Sequence, residues 1–134
     1  MQPIVWNYQM LVTENNIKIT VRTQYLPEQA PEQDQYAFAY HVTIRNSGPQ
    51  EIQLLNRYWL ITDGNGKNTE VKGPGVIGQQ PTIAVGAQFE YSSGAILETP
   101  VGSMQGYYEM RGKDGTLFEA PIDVFSLRVP SLVN

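Results

Sequence analysis

Six residues in the middle of the chain have a spacing that nucleotide chemistry uses. Gly73-Pro74-Gly75-Val76-Ile77-Gly78 sets its glycines in the G-x-G-x-x-G pattern. In a dinucleotide site such glycines wrap a pyrophosphate, and the free N–H groups and dipole of a following helix face the anion. Lys67 and Lys72 lie close in sequence and would add positive charge. The helix is the discriminating feature, and residues 79–86, Gln-Gln-Pro-Thr-Ile-Ala-Val-Gly, do not supply it. Pro81 lacks a donor and disfavours helical geometry at Gln80, while Thr82, Ile83 and Val85 favour extended backbone. No strand–helix–strand unit surrounds the glycines, so the Rossmann criteria are unmet. The expected structure is an extended or turn connection at a sandwich edge, with strand after it. Consecutive N–H groups in such a loop can still form an anion nest. The candidate phosphate or nucleotide residues are therefore Gly73, Gly75, Gly78, Lys67 and Lys72, with an affinity expected to be weak, salt-sensitive and poorly selective for the base, because no helix dipole assists.

Other chemistry is sparse. His41 is the only histidine, on the polar side of an alternating segment with Thr43 and Arg45. A serine–histidine–acid triad would need it to meet Ser92, Ser93 or Ser103 and a carboxylate, and no nucleophile-elbow sequence is present. His41 is expected to be a surface strand residue. The absence of cysteine excludes disulfides and thiolate metal sites. Glu28, Glu32 and Asp34 fall in a Pro-rich segment without calcium-loop spacing and suggest a solvated acidic loop. Asp63 and Asp114 head turn sequences. No catalytic residue, metal or cofactor is expected, and the chain is expected not to be an enzyme.

Charge narrows the partners. With 9 Lys+Arg against 13 Asp+Glu, the chain carries a formal net charge of −4. Neutralising a phosphate backbone needs clustered cations, and the longest basic cluster, Lys67 to Lys72, contains Glu70. Nucleic acid is thus excluded as the main partner. The N-terminal apolar residues are broken by Gln2, Asn7 and Gln9 and lack a basic flank. That pattern fits neither a secretory signal nor a spanning helix, so a cytoplasmic protein without membrane contact is expected.

The elements that must position these groups are strands. Ile17 to Tyr25 alternates apolar and polar residues, and Tyr36 to Ile44 repeats the pattern with Tyr36, Phe38, Tyr40, Val42 and Ile44 on one face. Asn46-Ser47-Gly48-Pro49 ends that strand. Alternation slips between Leu54 and Leu55 in the run Ile52 to Thr62, which predicts a bulge. Asp63-Gly64-Asn65-Gly66 predicts a hairpin into a short return strand, Lys67 to Lys72. Gln88 to Ser93 and Met104 to Arg111 follow, and Leu117 to Val129 is a strand run that Pro121 should interrupt. Pro27 to Gln35 is an exposed loop. About seven to nine short strands without helical period predict a single all-β domain over residues 1–134, a two-sheet β-sandwich.

Neighbouring aromatics sharpen the prediction. Trp59 resembles the core tryptophan of immunoglobulin-like sandwiches, and Tyr107 or Tyr108 invites a tyrosine-corner role. Strand geometry sends chain neighbours to opposite faces. One of Tyr58 and Trp59, and one of Tyr107 and Tyr108, must therefore face outward, where aromatics make a plausible partner surface.

Several motifs then follow in an order that resembles the ApaG family of bacterial proteins. They include Gln24-Tyr25-Leu26, Phe38-Ala39-Tyr40, Val42 to Asn46, Trp59 to Asp63, Gly73 to Gly78 with Gln80-Pro81, Phe89-Glu90-Tyr91, Ala120-Pro121-Ile122 and Val129-Pro130. The longest is Leu97-Glu98-Thr99-Pro100-Val101-Gly102-Ser103-Met104-Gln105-Gly106. The resemblance runs from about Tyr8 to Pro130, which puts the domain core at about 8–130, and it implies an immunoglobulin/fibronectin type III-like sandwich and a small cytoplasmic protein with no established catalytic activity. It also implies gene neighbourhood with a diadenosine tetraphosphate hydrolase, and an older association with cobalt and magnesium resistance. Related domains in eukaryotic F-box proteins imply an interaction module that binds another protein.

Overall fold

The computed structural model describes residues 8–12 and 15–130. Nine strands follow in order: β1 (Tyr8–Val12), β2 (Ile17–Leu26), β3 (Tyr36–Asn46), β4 (Ile52–Asp63), β5 (Asn68–Pro74), β6 (Thr82–Ile83), β7 (Gln88–Leu97), β8 (Val101–Gly112) and β9 (Leu117–Arg128). They form two antiparallel sheets, one ordered β1-β2-β3-β7 and one ordered β5-β4-β8-β9 with β6 paired to β4. Among the described residues there is no α-helix, and no helix long and apolar enough to cross a membrane.

The alternation predicted for β2 and β3 sets the inner face of the first sheet. Ile17, Ile19, Val21, Phe38, Tyr40, Val42 and Ile44 are all buried, and they meet Leu54, Trp59, Met104, Tyr108, Met110 and Leu127 of the second sheet. Trp59 sits at the centre, edge-on to Tyr40 at 5.3 Å and to Phe125 at 5.8 Å. The bulge appears where the apolar pattern slips, since the β4–β8 register shifts between Leu54 and Asn56. It lets Leu54 and Trp59 share the inner face although their numbers differ in parity. Opposite Trp59, Gly106 lets β8 lie close to β4, because a Cβ on it would overlap the Tyr58 carbonyl oxygen.

Three expectations need correction. The return strand is not Lys67 to Lys72 but Asn68–Pro74, because Gly73 and Pro74 continue the ladder opposite Arg57 and Asn56. The strands predicted at Gln88 to Ser93 and Met104 to Arg111 both run longer, as β7 and β8. Pro121 does not interrupt β9; it pairs with Tyr107 inside the strand. β9 is an edge strand, so a proline there forfeits no ladder hydrogen bond when its nitrogen faces outward.

Candidate functional site

The glycine loop leaves the end of β5 and turns at once. Val76 and Gln79 bridge to each other around Ile77 and Gly78, whose φ angles are 44° and 77°. Two successive positive φ values define the central pair of a tight type I′ turn. Gly75, at φ 63°, has no room for a side chain, since a Cβ would overlap the Gln79 carbonyl oxygen. Val76 is buried and anchors the loop to the core. Beyond it Ile83 and Thr82 pair with Ile52 and Gln53 of β4, so strand follows the loop as expected.

The loop's polar groups are largely committed. The Gly75 N–H donates to the Leu55 carbonyl at 2.8 Å, the Val76 N–H to Gln79 at 2.8 Å and the Gln79 N–H to Val76 at 2.9 Å. The carbonyls of Pro74 and Gly75 accept from Arg57 Nη1 at 3.1 and 3.0 Å. The loop therefore turns oxygens toward a cation of its own chain, the reverse of a pyrophosphate cradle. Arg57 was not among the sequence candidates, although hairpin register could have found it. Six residues outward from the Asp63–Lys67 turn on each side, β4 and β5 place Arg57 opposite Gly73.

Among the sequence candidates, Lys72 and Gly73 stay together and Lys67 does not join them. Lys67 lies at the other end of β5, six residues or about 20 Å from Gly73 along the strand, with Nζ 3.8 Å from Glu98. Lys72 lies on the outer face of the second sheet, 5.6 Å from the centre of the Tyr58 ring.

That outer face holds a row crossing four strands. Lys72 pairs with Tyr58, Tyr58 with Tyr107, and Tyr107 with Pro121. The two tyrosine rings stack at 5.0 Å and 26°, and the Tyr58 hydroxyl donates to Glu70 at 2.6 Å. That hydrogen bond is the main reason the Tyr58 hydroxyl pKa is raised. A shallow concavity of about 230 Å³ joins the tyrosines to Lys72, Gly73 and Pro74. Trp59 and Tyr108 face inward and Tyr58 and Tyr107 outward, which resolves the two alternatives left by strand parity. Tyr108 is not a corner residue bonding to backbone. Its hydroxyl meets that of Tyr91 at 2.6 Å in the core, linking the two sheets.

His41 is more than a plain surface strand residue. Its Nδ1 lies 2.7 Å from Ser92 Oγ and its Nε2 2.9 Å from Glu90 Oε1. Register explains the trio, since His41 stands directly opposite Ser92 and Glu90 is the next outward residue of β7. The hydrogen bond from His41 is the leading cause of a lowered Glu90 pKa. The serine sits mid-strand on an open face, however, and not on the strained strand–helix turn that exposes a hydrolase nucleophile. Glu28, Glu32 and Asp34 are exposed in the β2–β3 loop, and no described His, Cys, Asp or Glu residues form a group of three that could hold a metal. Asp63 and Asp114 cap their turns through the N–H groups of Asn65 and Thr116.

Comparison with known proteins places this architecture. The ApaG domain model matches residues 27–112. Protein ApaG of Pseudomonas paraeruginosa is 54% identical over 123 residues, covering 91% of this chain and 98% of that protein. Protein ApaG of Escherichia coli O1:K1 / APEC is 50% identical over 125 residues, covering 92% and 100%. A crystal structure of a Bordetella pertussis protein described as ApaA superposes with a TM-score of 0.81 at 45% identity, over 92% of this chain and 95% of that one. Both the match and the shared two-sheet fold show that the chain belongs to the ApaG domain family.

Proposed function

We propose that this domain binds a protein partner and does not turn over a substrate, and that the row Lys72–Tyr58–Tyr107–Pro121 is its contact surface. The carrying observation is the stacked tyrosine pair, fixed on an open sheet face by Glu70 at one hydroxyl and Lys72 over one ring. Rigid aromatics contribute much of the energy of protein interfaces, and side chains already held in place lose little freedom on binding. The mixed charges around the row, Lys72 and Arg57 against Glu70 and Glu109, suit a polar rim more than a nucleic-acid groove.

The alternative, weak phosphate or nucleotide binding through the glycine loop, draws less support. Three of the loop's N–H donors already have carbonyl partners and Lys67 is remote. The test is quantitative capture from the native host with tagged wild type and a Tyr58→Ala/Tyr107→Ala variant. Partners retained by wild type and lost by the folded variant support the surface. Equal recovery by both, or metabolite turnover by purified protein, overturns it.

A further inference from the structure

The His41 trio on the outer face of the first sheet holds chemistry that a protein contact does not use. Its donor roles follow from the carboxylate. An ionised Glu90 has only acceptors, so the Nε2–H of neutral His41 donates to it across 2.9 Å and Nδ1 keeps its lone pair. The Ser92 hydroxyl then donates to Nδ1 across 2.7 Å. A base oriented by an acid and aimed at a hydroxyl is the arrangement that activates a serine. Ser92 is exposed, so its oxygen is open to reagents. Ser126 of β9 is exposed as well but has no histidine beside it, because His41 is the only one in the chain.

Space and charge lie on the side of the trio away from Glu90. Two residues along the strands from His41 and Ser92, on the same face, Ala39 stands opposite Gly94. These small residues leave the sheet bare there. A concavity of about 190 Å³ results, lined by Arg22, Gln24, Ala39, His41 and Ser92. Arg22 is directly opposite His41 on β2, and among the described residues it makes no ion pair. Its planar guanidinium suits an oxyanion with two acceptor oxygens. A reagent in the concavity therefore meets an activated hydroxyl at one end and a cation at the other.

We propose that Ser92 is a modification site that takes an acyl group from an acyl phosphate whose phosphate rests on Arg22. Ser92 Oγ attacks the acyl carbon while its proton passes to His41 Nδ1. The bond from that carbon to the bridging oxygen breaks, and phosphate leaves with the electron pair and takes the proton from the imidazolium. Nothing is oxidised or reduced. One base and one guanidinium suffice for attack on a trigonal carbon with a good leaving group. Phosphoryl transfer asks for more, since charge on three equatorial oxygens must be neutralised. The ester then persists. It has no activated leaving group, and its hydrolysis would call on oxyanion donors, each worth about 10²–10³ in rate. A serine in the middle of a strand is not surrounded by the N–H groups that a strand–helix elbow gathers. The domain is thus modified once without turnover, independently of the tyrosine row on the other sheet.

The test incubates the full chain with acetyl phosphate and maps acetyl groups over time by peptide mass spectrometry. Ser92 should be acetylated about a hundredfold faster than Ser126, the scale of general-base assistance. His41→Ala should remove that advantage, and imidazole added to this variant should restore much of it, which a folding defect would not allow. Glu90→Ala should slow Ser92 about tenfold. Glu90→Gln keeps an acceptor for Nε2–H and should recover most of that loss, as a positioning residue requires. Arg22→Ala should slow acetyl phosphate about fivefold and leave the uncharged ester p-nitrophenyl acetate unaffected. Labelling of Ser92 no faster than Ser126, or unaltered by His41→Ala, would overturn the proposal. An acetyl group found on His41 would overturn its role as base, and phosphate in place of acetyl on Ser92 would overturn the acyl class. Phosphate release exceeding that of Ser92→Ala by more than one equivalent per chain would overturn the lasting ester.

Discussion

Tyr107 and Tyr108 are chain neighbours with opposite fates. Tyr108 is fully buried and shares a hydrogen bond with Tyr91 between the sheets, whereas Tyr107 stacks on Tyr58 at the outer face. One strand step separates a residue that holds the sandwich together from one available to a partner. Residue type does not distinguish them; the side of the sheet does. For Tyr108 burial is the leading reason its hydroxyl is held well above its ordinary pKa, and burial likewise leads for Tyr91. The outer Tyr58 is raised by its neighbour Glu70 instead.

The largest expected effect breaks the inner pair. Tyr108→Ala should destabilise the domain by about 3–5 kcal/mol, the range for deleting a large buried aromatic, whereas Tyr107→Ala should cost less than about 1 kcal/mol. Urea unfolding of both variants measures the contrast, and equal losses would erase it. Tyr108→Phe isolates the hydroxyl: stranding its buried Tyr91 partner should cost about 1–3 kcal/mol.

Alkali should find the same pair. The folded-state pKa of Tyr91 and Tyr108 lies above the unfolded value, so their contribution is complete below about pH 10 and is lost as pH rises beyond it. Stability should therefore decline above about pH 10, with the buried phenolate signal near 295 nm appearing only as the chain unfolds. Tyr91→Phe should flatten that decline. A phenolate signal from the inner pair in folded protein would contradict it.

Smaller effects concern the loop and the cross-strand trio. Arg57→Ala should cost about 1 kcal/mol, discounted from a charged hydrogen bond because the side chain is part-exposed, and should move the amide signals of Gly75 to Gln79. Pyrophosphate at millimolar concentration should leave those signals in place in the wild type. His41→Ala should let the Glu90 carboxyl titrate nearer its ordinary value, a change visible by carboxyl NMR. The lowered Glu90 pKa means its contribution is present above the unfolded carboxylate value and fades as pH falls through the folded one. An unchanged Glu90 titration would show that His41 does not hold it.

Much of this architecture was legible locally. Period-two alternation located the long strands and their buried faces, the slip at Leu54–Leu55 marked a bulge, and Pro81 with its β-branched successors ruled out a helix after Gly78. These features depend on backbone sterics and on side-chain parity within a few residues, so the sequence by itself determined them. Other features needed the chain brought together. Pro121 could stay inside a strand only because β9 became an edge. Arg57 meets Pro74 and Gly75, and His41 meets Ser92 and Glu90, across separations of 17, 18, 51 and 49 residues. Parity could say that one of Tyr107 and Tyr108 faces outward but not which, because the inner face is defined only by where the second sheet lies. Strand order and register set these relations, and tertiary structure alone decided them, because backbone hydrogen bonds along a ladder are chemically alike and carry no record of which partner strand they will meet.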